Sequence, residues 1–178
     1  MSDFVNYNKR NIALPPGCKN LADVLALKSS PSDTALKHDK LSVIGEYISR
    51  AWESPAEDVV LRITPGKRVD FIQDPGLLFT LHRSPGGGLT ADVQVRMDSE
   101  QEAALRLFLE RHNYPLPDTS VPFQFDPNLP IEIIWSVTPF PAKASELAAV
   151  VSALLRQVCR LNDESDITVY YKETPHWD

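Results

Sequence analysis

Two cysteines, Cys18 and Cys159, are too few for the disulfide framework of a small secreted domain. Glycine is also scarce, with seven in 178 residues. Its one cluster, "SPGGG" at 84–88, is not followed by the Lys that a phosphate loop needs after its glycines. It joins two strand-like runs and reads as a hairpin loop. Neither Cys-x-x-Cys nor His-Glu-x-x-His occurs, so no metal site and no cofactor are expected. A Gly-x-Ser-x-Gly nucleophile elbow is missing too. The longest apolar stretch, near Leu147 to Leu155, is interrupted by Ser152 and falls short of a membrane span. "MSDFVNYNKR" at the start lacks the apolar centre of a secretory signal. The expectation is a cytoplasmic protein with free thiols and no membrane association.

Basic charge is in deficit. The chain holds 18 Lys and Arg against 24 Asp and Glu, a net charge of −6. Residues 1–30 carry four basic and two acidic side chains, and the rest carry 14 and 22. An acidic body repels phosphate backbones and anionic lipid, which argues against nucleic acid as a partner.

Proline is what the chain has in plenty, 15 in all, and it marks most boundaries. Residues 1–30 read as an N-terminal arm. Its corner is Pro15-Pro16-Gly17, and a short helix follows with Leu21, Val24 and Leu25 on one face. Two turns of helix are unstable alone in water, so this stripe needs a surface. Residues 31–178 read as one α+β domain.

A helix capped by Asp33 or Thr34 is expected to reach Glu53, burying Leu41, Ile44, Ile48 and Trp52. Four period-two runs follow, at Val59–Thr64, Val69–Ile72, Leu77–His82 and Ala91–Met97, and read as an antiparallel meander. Asp98 is expected to cap the next helix, with Gln101 completing a capping box. Glu102 and Arg106 on that helix read as a surface pair, and His112 as a helix-end residue. An eighteen-residue, proline-rich loop spans 113–130. A strand at Ile131–Val137, a helix over 143–161 and a strand at Ile167–Tyr171 then form a β-α-β unit, whose right-handed crossover predicts parallel strands. The architecture expected is one mixed, mostly antiparallel sheet with helices mainly on one face.

Alternation also defines the sheet's second face. It is polar and rich in threonine, with Arg62, Arg96 and Lys172 balancing Asp70, Asp92 and Glu132. Tyr170 is its one aromatic, too little for a platform that stacks RNA bases. Most of it reads as a solvated surface of cross-strand pairs. Val60, Ile72, Leu78 and Ile134 break the pattern and, if clustered, need a cover.

Three functions compete. The first is a non-catalytic binding or assembly module that self-associates or holds a protein partner through the sheet's second face and the arm. Its candidate residues are Leu21, Val24, Leu25, Val60, Ile72, Leu78, His82, Ile134, Tyr170 and the tail residue Trp177. The second is a small enzyme with a pocket near Cys18 or His82 under the 113–130 loop. Cys18 lies beside Lys19 at a helix start, a setting that activates thiols, but no histidine is tied to it by spacing. The third is a chaperone-like adaptor that holds an extended peptide at a sheet edge. No catalytic residue is assigned.

Overall fold

A computed structural model describes residues 36–69, 76–117 and 130–174. The elements run β1 (Lys37–Lys40), a 3-10 turn (Leu41–Val43), α1 (Ile44–Glu53), β2 (Asp58–Pro65), β3 (Leu77–Arg83) and β4 (Leu89–Arg96). Then come α2 (Glu100–Arg111), β5 (Glu132–Ser136), α3 (Ala144–Val158) and β6 (Asp166–Thr174). The fold is α+β, with all six strands in one sheet of order β1-β6-β2-β3-β4-β5.

Every paired neighbour is antiparallel. β5 and β6 run in the same direction, as the β-α-β reading expects, four antiparallel steps apart in the sheet. β5 and β6 are not adjacent, because α3 carries the chain across the sheet and β6 inserts between β1 and β2. The chain thus bonds β6 on both edges, to Lys37–Lys40 and to Asp58–Pro65. The meander is also reassigned. It consists of β2, β3, β4 and β5. The run expected at Val69–Ile72 lies outside the described residues apart from Val69, which is 85% exposed. Both edges of β2 are already taken, by β3 and β6, so no strand separates β2 from β3.

Period-two patterning works for the rest because one face of the sheet is covered by helices. Val59, Leu61 and Ile63 of β2 form one core with Leu77, Phe79 and Leu81 of β3 and with Ala91, Val93 and Val95 of β4. Ile133 and Trp135 of β5 and Ile167, Val169 and Tyr171 of β6 complete the layer. Above it sit Ile44 and Ile48 of α1, Leu105, Phe108 and Leu109 of α2, and Leu147, Val151, Leu154 and Leu155 of α3. Residues three and four apart share a helix face, which is why these stripes were visible in the sequence.

The first helix is shorter than its expected span. Helical structure begins at Leu41, and Lys37–Lys40 is a strand instead. Tertiary bonds outweigh propensity there: Lys40 Nζ donates to Asp166 at 2.8 Å and to the Glu164 carbonyl at 2.8 Å. At the other end of α1 the Arg83 guanidinium donates to the carbonyls of Trp52, Ser54 and Ala56 at 3.1, 2.7 and 3.2 Å. A strand residue thereby satisfies carbonyls that the helix end leaves without partners.

The cap of α2 is offset by one residue from the expectation. Ser99 is the N-cap and accepts from Glu102 N–H at 3.1 Å. Glu102 returns the bond from Asp98 N–H at 2.6 Å, so Glu102 and not Gln101 closes the box. Asp98 cannot be the cap, since its φ of 59° is left-handed where a cap is extended. Glu102 is moreover buried, and Arg106 grips it through two nitrogens at 2.9 and 2.7 Å. The pair is more than the surface contact expected from its spacing.

Candidate functional site

Cross-strand register sorts the second face into rows. One row runs Lys172, Val60, His82 and Thr90. The next runs Tyr170, Arg62, Thr80, Asp92 and Ser136. A third runs His38, Thr168, Thr64 on one side and Leu78, Gln94, Ile134 on the other. Within and between rows, polar groups meet each other. Thr90 Oγ1 lies 3.1 Å from His82 Nε2, and Ser136 donates to Asp92 at 2.6 Å. Gln94 donates to Glu132, and the Arg62 guanidinium lies 5.9 Å from the Tyr170 ring centre.

Of the aliphatic exceptions, the described Val60, Leu78 and Ile134 do not gather into one patch. The Arg62–Thr80 row separates Val60 from Leu78, and Gln94 stands between Leu78 and Ile134. Leu78 is 8% exposed, while Val60, Ile134, His82 and Tyr170 are half-buried. Leu21, Val24, Leu25, Ile72 and Trp177 lie outside the described residues, as do Cys18 and most of the 113–130 loop.

The threonine-rich surface is not uniformly solvated. Thr64 and Thr168 are both 0% exposed. Thr64 donates to the Leu77 carbonyl at 2.8 Å. Thr168 Oγ1 donates to the Gly66 carbonyl at 2.7 Å, accepts from Arg68 N–H at 2.8 Å, and lies 3.2 Å from His38 Nδ1. One hydroxyl thus pins the chain leaving β2 against β6. Thr168→Val keeps the shape and strips both backbone groups of their partner. An expected loss of about 1–2 kcal/mol in denaturant unfolding follows from the loss of two half-buried hydrogen bonds; a loss within error would show that the hydroxyl is not the tether.

The two ends of the sheet differ. β1 is four residues long, is flanked by exposed Lys37 and Lys40, and is clamped by the Lys40–Asp166 ion pair. Lys67 lies 3.6 Å from the same carboxylate, and the two lysines hold Asp166 below its usual range. β5, at the opposite end, reads Glu-Ile-Ile-Trp-Ser with no basic residue and no proline inside it. Its inner bonds are defined: Met97 N–H donates to the Ile131 carbonyl at 2.9 Å, and Val137 N–H to the Ala91 carbonyl at 2.8 Å. Antiparallel bonding alternates, so the backbone groups of Ile133 and Trp135 also face β4. Those of Ile134 and Ser136 point the other way, beyond the last strand of the described residues.

Where β5 leaves β4 there is a hollow of about 440 Å³. Leu89, Val137 and Phe140 give it apolar walls, and Thr90, Asp92, Ser136 and Thr138 a polar rim. The sequence holds no signal for this hollow, because its walls come together only through the β4–β5 register. At the other end of β5 stands Ile131, a large hydrophobic side chain that is 37% exposed.

Among the described residues no helix is long and apolar enough to cross a membrane, and no three His, Cys, Asp or Glu side chains are grouped to hold a metal ion. Neither a protein-family model, nor a curated protein, nor a solved structure matches this chain.

Proposed function

We propose that this chain is a non-catalytic binding or assembly module that works through its sheet, with the arm of residues 1–30 as an accessory. The inequality of the two sheet edges carries this reading. A short, lysine-flanked edge strand discourages pairing with another chain, and β1 has that form. β5 is one residue longer and begins with Glu132, but it carries no lysine and presents aliphatic side chains on both faces. The second face supports the same view, since His82, Asp92 and Ser136 engage their cross-strand neighbours and do not converge on one point. A reducing, cytoplasmic setting belongs to the proposal, with Cys159 a free thiol.

Light scattering on the intact chain tests it. The expected mass exceeds the monomer's 19.9 kDa and rises with concentration. A mass fixed at the monomer value from micromolar to millimolar protein removes the assembly half of the reading. The hollow beside β5 favours a second reading, an adaptor that lays an extended peptide along the same edge.

A further inference from the structure

Resting on the binding half of that reading, we infer that the hollow where β5 leaves β4 takes a primary alkylammonium group, its chain against the walls and its nitrogen at Asp92. The volume of about 440 Å³ suits a small ligand or one long side chain. The walls are held from behind. Phe140 stacks on Trp52 with ring centres 5.6 Å apart and planes 8° from parallel, and Leu89 packs against the core. Val137 is buried, and its N–H is tied to the Ala91 carbonyl of β4 at 2.8 Å.

Charge at the rim selects the ligand. Ser136 donates to Asp92 Oδ1 at 2.6 Å, and Asp92 Oδ2 has no hydrogen bond among the described residues. Among the same residues no basic side chain comes within ion-pair distance of Asp92. Two arginines near it in register are committed elsewhere. Arg83, opposite Leu89, spends its guanidinium on the carbonyls of Trp52, Ser54 and Ala56. Arg62 shares the row of Asp92 but stands two strands away, about 10 Å, beside the Tyr170 ring.

An anion is repelled by this carboxylate, and a neutral ligand would strip its water without compensation. A guanidinium binds best through both carboxylate oxygens, and Ser136 already holds one of them. An ammonium is a compact charge with three donors. The rim offers it Asp92 Oδ2 and the hydroxyl oxygens of Thr90 and Thr138. An alkylammonium divides into apolar stem and charged head as the hollow divides into wall and rim. The net charge of −6 favours the approach of a cation.

Nuclear magnetic resonance titration of the intact chain with n-pentylammonium tests the assignment. Saturable shifts are expected at the amides of Asp92, Ser136 and Thr138, with affinity rising from ethylammonium to pentylammonium. Pentanol on the native chain, and pentylammonium on Asp92→Asn, are expected to bind at least about tenfold more weakly. Asparagine keeps an acceptor for Ser136, and unchanged circular dichroism verifies that this variant folds. Ser136→Ala, which leaves the carboxylate in place, is expected to retain the binding. Nα-acetyl-lysine amide separates two sources of the group. Tighter binding than pentylammonium assigns the hollow to a lysine side chain of a protein partner, and weaker binding assigns it to a free amine. Absence of saturable shifts, equal affinity for pentanol, or undiminished binding by Asp92→Asn overturns the assignment. Should it fall in a chain whose mass still rises with concentration, the assembly reading stands without it. Binding by a chain that stays monomeric keeps the assignment and removes assembly alone.

Discussion

Trp135→Ala is expected to cost about 3–5 kcal/mol of unfolding free energy, the range for removing a large buried aromatic. Trp135 is 2% exposed on β5, opposite Val93, with the Tyr114 ring centred 5.4 Å away. Tyr114 in turn stacks towards Phe108, so the indole ties the last strand to the end of α2. Trp135→Phe is expected to cost about 1 kcal/mol or less. The indole N–H has no hydrogen-bond partner among the described residues. Deleting an unsatisfied buried donor offsets part of the lost packing. Chemical denaturation of the two variants separates ring burial from the N–H. Equal losses would mean that the N–H has an acceptor, and a small loss for alanine would mean that β5 is not anchored through this ring.

The second large effect is on Cys159. Burial pushes its thiol from 9.0 up to about 12. Since the thiolate is the nucleophile, alkylation at pH 8 is expected to run about a thousandfold slower in the folded chain than in the unfolded one. A Cys18→Ser background isolates the signal. The raised value also has a sign for stability. The unfolded chain loses the proton first as pH climbs past about 9, so folding free energy is present below that point and drains away towards pH 12. Tyr171 acts in the same direction, raised to about 12 mainly by burial and then by the adjacent Glu173 carboxylate. Melting temperature should therefore fall through this alkaline window, and less steeply in Cys159→Ala. A folded-state alkylation rate matching free cysteine would contradict the burial of the thiol.

What the sequence disclosed and what it hid follow one division. Val59, Leu61 and Ile63, or Leu147, Val151 and Leu154, reveal their elements because each pattern lies within a few residues and faces one core. Lys37–Lys40 carries no such pattern, and only β6, 130 residues away, makes it a strand. The insertion of β6 between β1 and β2 is non-local in the same way. Thr64 and Thr168 look like surface residues by alternation, yet both are buried and their hydroxyls are spent on backbone carbonyls. Ser99 and Asp98 are adjacent potential caps, and the backbone angle of Asp98 decides between them. The β5 edge could be guessed as a strand from Ile131 to Val137. Which of its amides face outward depends on the bonds to Ala91 and Met97, and these no linear pattern contains.

Sedimentation velocity of the intact chain tests the central claim, assembly, most directly. Between micromolar and millimolar protein the weight-average mass is expected to climb from 19.9 kDa towards at least twice that value. A single species of 19.9 kDa at every concentration would contradict the account.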